Sequence, residues 1–242
     1  LYNRDNIFTQ RIAMRKIALF ALLLSLPLLA GFFPKTVHTS IKSIEGKNIT
    51  LKSAFPIQGM SGVVIHNYGN DLTAITHRLA QTSSKGDAKL LSADVLHHDE
   101  LPTIKTAAVA GDKVVGGYLY ENVLLLAPDA DTYAKVTSQY KNKKWIHPDL
   151  FALYLAVHDD LLVTKGNLAR FAKKFQVGLI YIVRKDSAIL LDPISGKTIA
   201  KKAMKGLPSE GRFPFYMRFE KLDTGWFSSD IKGDYYLSVG RL

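Results

Sequence analysis

The 242 residues suffice for one large domain or two small ones with cores of their own, and 47% apolar with 22% charged residues excludes a chain disordered throughout. The absence of cysteine excludes a disulfide framework, a thiolate metal site and lipid attachment through cysteine. A formal net charge of +11 suits acidic partners such as an anionic membrane surface, nucleic acid or acidic proteins, without choosing among them.

In chain order, residues 1–13 mix Arg4, Asp5 and Arg11 ahead of Met14 and read as a mis-assigned start outside the fold. Residues 14–30 read as a signal peptide. Met14, Arg15 and Lys16 form a basic start, Ile17 to Leu24 an apolar run, and Ala30-Gly31 a small pair where a signal peptidase cuts. Leu28 stands where a smaller residue is usual, so an uncleaved anchor is the alternative. The stretch is short for a membrane span, which takes about 20 apolar residues. Residues 1–30 hold four basic residues and one acid, which leaves about +8 on the remainder. The expectation is export from a Gram-negative bacterial cytoplasm to the periplasm, the outer membrane or the cell surface. Export argues against a nucleic-acid partner.

Residues 40–117 form a β-rich part. Short apolar runs at Asn48-Ile49-Thr50-Leu51, Gly62-Val63-Val64-Ile65-His66 and Leu72-Thr73-Ala74-Ile75-Thr76 are separated by turn residues around Gly46, Gly69 and Gly86. Strands so close in sequence predict antiparallel hairpins curled into a small barrel or sandwich. Residues 118–242 read as an α/β part, so the fold class is α+β. The apolar strand Asn122 to Ala127 ends at Pro128, where Asp129 or Asp131 caps a helix to Tyr140. Further helices follow from Pro148-Asp149 to His158 and from Thr164 to Phe175, the latter with Leu168, Phe171, Ala172 and Phe175 at helical spacing. A buried-type strand runs from Val177 to Val183, and a hairpin joins Ser187–Leu191 to Lys197–Lys202. Helices between two apolar strands predict a parallel pair with a crossover. The aromatic tail from Arg212 onward is expected to add edge strands.

No residue is assigned to catalysis, to a cofactor or to a metal. His97-His98-Asp99-Glu100 offers ligand types, but neighbours on a strand point to opposite faces, so a solvated turn is the plainer reading. His158-Asp159-Asp160 stands alone after a helix and receives the same reading. Gly59-Met60-Ser61-Gly62-Val63 and Thr82-Ser83-Ser84-Lys85 each miss a position that a nucleophile motif needs, and no phosphate-binding glycine pattern occurs. An enzyme, a hydrolase of the envelope for instance, would instead need a deep pocket joining groups such as His66 or His77 with Asp94. Basic runs at Lys141-Asn142-Lys143-Lys144-Trp145, Lys173-Lys174 and Lys201-Lys202 suit anionic lipid or an acidic partner, or are solvated faces of helices and a hairpin.

Taken in order, several segments resemble the amino-terminal domain of the plasminogen-binding protein A family of certain Gram-negative bacteria. They are Ala54-Phe55-Pro56, Gly62-Val63-Val64, Leu101-Pro102-Thr103, Gly111-Asp112-Lys113-Val114, Leu124-Leu125-Leu126-Ala127-Pro128, Asp149-Leu150 and Val177 to Val183, within a span from Ile41 to Ile199. The resemblance implies an envelope location and a protein partner, host plasminogen, and it implies no catalytic residue. Members of the family carry a long Lys-rich segment after this domain, whereas the present sequence ends at Gly240-Arg241-Leu242. Plasminogen binding here is therefore expected to use internal lysines, Lys141, Lys143 and Lys144, beside an acid such as Asp149. The alternative is a periplasmic or outer-membrane-associated structural module that does not bind plasminogen. Oligomeric state is left open by the sequence.

Overall fold

Strand β1 (Val37–Glu45) turns into β2 (Asn48–Leu51) at Gly46, whose φ of +61° is a conformation that costs glycine little. The computed structural model describes residues 31–91, 106–158, 162–219 and 233–242. The readings made above for residues 1–30, His97-His98-Asp99-Glu100, Asp94, Leu101-Pro102-Thr103 and Asp159-Asp160 lie outside them. Four more strands follow: β3 (Ser61–Asn67), β4 (Thr73–Gln81), β5 (Asp87–Leu90) and β6 (Lys113–Gly116). All pair antiparallel in the order β1-β2-β5-β4-β3-β6, and β6 joins both β3 and β1, so the sheet closes into a barrel. Closure removes every sheet edge.

Alternation fills the barrel. Ile41, Ile49, Leu51, Val64, Leu79, Ala88, Leu90 and Val114 are buried in one cluster, and their strand neighbours face outward. Phe55 plugs the barrel beside the facing pair Gly62 and Gly116, where a Cβ on Gly116 would stand 2.6 Å from the Phe55 ring. The buried Gln81 side chain holds Phe55 as a strand would. Its Oε1 accepts from the Phe55 amide at 2.6 Å and its Nε2 donates to the Phe55 carbonyl at 3.1 Å.

The second sheet is built from β7 (Asn122–Leu126), helix α1 (Ala130–Gln139), β8 (Lys144–Ile146), α2 (Pro148–Val157), α3 (Lys165–Phe175), β9 (Leu179–Arg184), β10 (Ser187–Asp192) and β11 (Lys197–Ala203), with α4 (Tyr235–Gly240) last. Its order is β11-β10-β9-β7-β8, with β7 parallel to both β8 and β9 as the crossover reading expects. Asp129 caps α1 by accepting from the Thr132 amide at 2.7 Å, and Thr164 caps α3 by accepting from Asn167 at 3.1 Å.

The sheet is buried on both faces, as parallel sheets are. Val123, Leu125, Leu179, Tyr181, Val183 and Leu190 share a cluster with the barrel interior and with Val136 of α1. Leu124, Leu126, Ile180, Ile182, Ile189 and Leu191 point the other way, to α2, α3 and α4. The chain leaves β7 for β8 on one side and returns to β9 on the other. Right-handed crossovers in opposite directions put their helices on opposite faces.

Two sequence expectations are corrected. The aromatic tail forms no strand among its described residues. Residues 212–219 run as a strap past the end of β7, with the Arg212 amide donating to Pro128 O at 2.7 Å and the Tyr216 amide to Ala127 O at 2.8 Å. The aromatic rings fill the end of the sheet instead of extending its edge. Tyr235 of α4 is fully buried, and its hydroxyl reaches the carbonyls of Leu126 at 2.9 Å and Val183 at 2.7 Å, where β7 and β9 end. The basic run Lys141 to Trp145, read as a solvated helix or hairpin face, contributes the edge strand β8.

Candidate binding surface

The basic run surrounds an aromatic cluster at the β8 edge. Phe32 packs edge-on against Tyr181 at 5.4 Å between ring centres, and Phe33 against Tyr140 at 4.9 Å, with Trp145 beside Phe33 and Tyr181. Two lysines cover these rings. Lys143 Nζ lies 4.9 Å from the centre of Phe33 and donates to Tyr120 O at 3.3 Å. Lys202 Nζ lies 4.8 to 5.5 Å from the centres of Phe32, Tyr140 and Tyr181 and is 2.8 Å from the Tyr140 hydroxyl. An ammonium over several ring faces is held by their quadrupoles and by shelter from water. Burial pushes the Lys143 amine below its ordinary value, and the nearby Glu121 carboxylate opposes that shift.

Among the described residues Lys141 and Lys144 have no such ring partners, and both stand exposed. The Lys144 amide donates to the Glu121 carbonyl at 2.8 Å, so the exposed Glu121 neighbours the exposed Lys144 across the β7–β8 pair. Glu121, not singled out in the sequence, is an exposed acid paired through the backbone with Lys144, and its charge acts on the Lys143 amine. Its only signal was its place just before an apolar strand.

Asp149, the acid expected beside the lysines, is buried at the start of α2. One of its carboxylate oxygens accepts from the Arg218 amide at 2.9 Å and the other from Arg218 Nε at 2.7 Å. His147 caps the same helix, its Nδ1 3.2 Å from the Asp149 amide. Burial alone would raise the Asp149 carboxyl, but the Arg218 hydrogen bonds and the charges of His147 and Arg218 outweigh it and hold the group below 3.8. Burial pushes the His147 imidazole below 6.5, and Asp149 only partly offsets this. Tyr133 and Tyr216 complete the group, with ring centres 5.1 Å from His147 for Tyr133 and 5.5 Å between the two tyrosines. This cluster lies at the carboxyl ends of β7 and β8, where the chain direction reverses, the place where open α/β sheets gather their functional groups.

On the barrel, His66 Nδ1 lies 2.8 Å from Asp112 Oδ1, whose second oxygen accepts from the Val109 amide at 2.9 Å. Burial pushes His77 below 6.5 against the charge of Asp112, and its Nδ1 has no hydrogen-bond partner among the described residues. No group of three or more His, Asp or Glu arranged to hold a metal ion occurs among the described residues. No described helix is long and apolar enough to cross a membrane.

Comparison with known proteins adds to this geometry. The sequence profile of the family described as "Plasminogen-binding protein pgbA N-terminal" matches residues 36–238. Two curated relatives from two strains of Helicobacter pylori, each named "Plasminogen-binding protein PgbA", are 25% identical over 157 residues, which is 64% of this chain and 34% of each relative. The chain thus matches about a third of the length of these relatives. No solved structure matches.

Proposed function

Because the chain belongs to the plasminogen-binding protein pgbA N-terminal family, we propose that it is an exported protein of a Gram-negative cell envelope that binds plasminogen through lysines on its surface. The observation that carries the reading to particular residues is the exposure of Lys141 and Lys144 at the β8 edge, where the Lys144 amide bonds the backbone of the exposed Glu121. A lysine with a carboxylate near it imitates the chain-terminal lysine that plasminogen's binding pockets favour. Lys143 supports the site from within, because its ammonium rests on Phe33 and fixes the turn that presents Lys141. Asp149 serves the same edge indirectly. Its bonds to Arg218 hold the start of α2, the helix that follows β8.

The test is binding of plasminogen to the purified protein, with and without a free lysine analogue as competitor. Saturable binding lost to the competitor, and lost again in the Lys141→Ala, Lys144→Ala double variant, is the expected result. No binding by the unaltered protein removes plasminogen as the partner and leaves an envelope module with another ligand. Binding that survives the double variant moves the site to other lysines.

A further inference from the structure

Helix α2 reads PDLFALYLAV, in which Asp149 is the only charged residue, so nearly every side of it is apolar. A helix of that kind is normally buried all round. Here only one side is buried. Phe151, Ala152, Tyr154 and Leu155 pack against the sheet and α3, whereas Leu150, Leu153 and Val157 stand exposed. At about 100° per residue, the spacing i, i+3, i+7 puts these three within an arc of about 60°, one stripe along the outer side of the helix. Val157 is 79% exposed, so the stripe is open surface and not the rim of the core.

The exposed charges beside the stripe have one sign. Asp149, the one acid of α2, is turned inward to Arg218, and α3 contains no acid. Helix α3 lies against α2 through Phe171, whose ring centre is 4.9 Å from that of Phe151 and 5.5 Å from that of Tyr154. The exposed Lys174 of α3 holds its ammonium 6.0 Å from the centre of the Tyr154 ring, next to the stripe, and Lys165 is exposed at the other end of the same helix. Apolar side chains bordered by lysines, whose stems lie along apolar surface while their ammonium groups reach outward, match the boundary between headgroups and acyl chains of an anionic bilayer. Ten residues of helix extend only about 15 Å, half of the hydrocarbon thickness of about 30 Å, so the contact is with one leaflet. A second copy of the chain fits the stripe less well. It would bring the same cations together, and three side chains fall well short of the roughly 800 Å² that each partner gives to a standard interface.

We propose that the outer side of α2 docks the protein on an anionic lipid surface, with Leu150, Leu153 and Val157 entering between the headgroups and Lys174 among the phosphates. Lys141 and Lys144 of the β8 edge have no part in this contact, so plasminogen binding and lipid binding are read independently and either can fail alone.

The experiment is co-sedimentation of the protein with phosphatidylcholine vesicles, with and without phosphatidylglycerol. Binding to the anionic vesicles is expected to be about tenfold or more tighter than to the neutral ones, because only they attract the lysines. Val157→Asp is expected to weaken that binding about tenfold, since it removes an apolar contact and adds a repelled charge. The Lys141→Ala, Lys144→Ala double variant is expected to stay within about twofold of the unaltered protein. The chain has no cysteine, so Val157→Cys carries a polarity-sensitive dye on the stripe alone, and Lys85→Cys carries it in the exposed turn between β4 and β5. The dye at 157 is expected to shift to the blue on anionic vesicles and the dye at 85 to stay unchanged. No binding to anionic vesicles, equal binding to both kinds, undiminished binding of Val157→Asp, or equal dye shifts at the two positions would each overturn the proposal. Self-association that Val157→Asp abolishes, without vesicle binding, would also overturn it and give the stripe to a second copy. Both labelled positions are exposed, so the dye comparison decides the matter even if Val157→Asp fails to fold.

Discussion

The Asp192 carboxylate, fully buried at the end of β10, accepts from the Tyr120 hydroxyl at 2.6 Å. The same oxygen accepts from the Ser61 amide at 2.8 Å, and the other oxygen accepts from the amides of Ile194 and Ser195 at 2.9 and 3.0 Å. Ser61 begins β3 of the barrel, and Asp192 ends a strand of the second sheet. One side chain therefore fastens the two layers and shapes the turn after β10.

Asp192→Ala would leave the Tyr120 hydroxyl buried without an acceptor, leave the Ser61 amide only its longer bond to the Tyr120 oxygen at 3.2 Å, and release the amides of Ile194 and Ser195. The expected loss is about 3 kcal/mol or more, since each orphaned buried group costs about 1–3 kcal/mol. Tyr120→Phe removes one donor from a carboxylate that keeps three, with an expected loss of about 1 to 2 kcal/mol. Chemical unfolding of both variants measures the difference. Equal losses would mean that the bond from the Tyr120 hydroxyl accounts for the whole contribution of the carboxylate and that the amide bonds add nothing.

Acid should weaken the fold in two stages. His77 and His147 sit below their ordinary 6.5 in the folded protein, so the unfolded chain binds protons first. Their contribution is complete above that value and declines as pH falls below it, through the lower folded values. Asp149 follows at lower pH. Its folded value lies below 3.8, so its contribution holds above 3.8 and is lost as pH falls through the folded value. Urea midpoints measured across this range should fall in both windows. In Asp149→Asn the second decline should shrink, and a decline of undiminished size would locate the acid-sensitive group elsewhere.

Much of the fold was legible in the sequence because much of it is local. Asn48–Leu51, Ser187–Asp192 and the helix behind Thr164 each announce themselves through alternation, turn residues or a capping hydroxyl. What was not legible depends on distant partners. Closure of the barrel rests on β6 meeting β1 some seventy residues back in the chain, a pairing that no local pattern encodes. Lys144-Trp145-Ile146 becomes a strand only because β7 offers its edge, and on its own the run looks like solvated charge. Asp149 stands five residues from Lys144, which suggested a partner, but the start of α2 turns it inward to Arg218, 69 positions away. Aromatic richness in the tail signals burial, as Phe215 and Tyr235 show, but carries no information on whether the backbone pairs as a strand.

Gly178 has ordinary φ, so space alone decides what it tolerates. A Cβ would stand 2.0 Å from the Leu119 carbonyl oxygen and 2.2 Å from its carbon, both backbone atoms that the neighbouring turn fixes. Gly178→Ala is expected to cost about 3 kcal/mol or more, at the upper end of overpacking effects. Gly240, where nothing stands within 4 Å, is the control and should lose far less on the same change. A thermal melt of the two variants compares them.

Several phenols should resist alkali. Burial first, and then the Asp192 charge, hold Tyr120 well above 10, and burial does the same for Tyr235 and Tyr181. Since ionisation is disfavoured only in the folded state, these residues add stability that is complete below pH 10 and is lost progressively above it, as pH rises through the raised folded values. Ultraviolet titration should show part of the tyrosine signal at ordinary pH and the rest only with unfolding. A single smooth titration of all eleven tyrosines, with the fold intact, would contradict this.

The placement of Phe32 and Phe33 has a mechanical meaning. Five residues before β1 begins at Val37, the chain is already wedged against Tyr181 of the central strand β9 and clasped by Lys202. A pull on the amino end is therefore borne by the middle of the second sheet before it reaches the barrel. The first strand is shielded from peeling, and tension along the chain would be felt first by the same lysine-covered aromatic patch that lies beside the proposed binding edge.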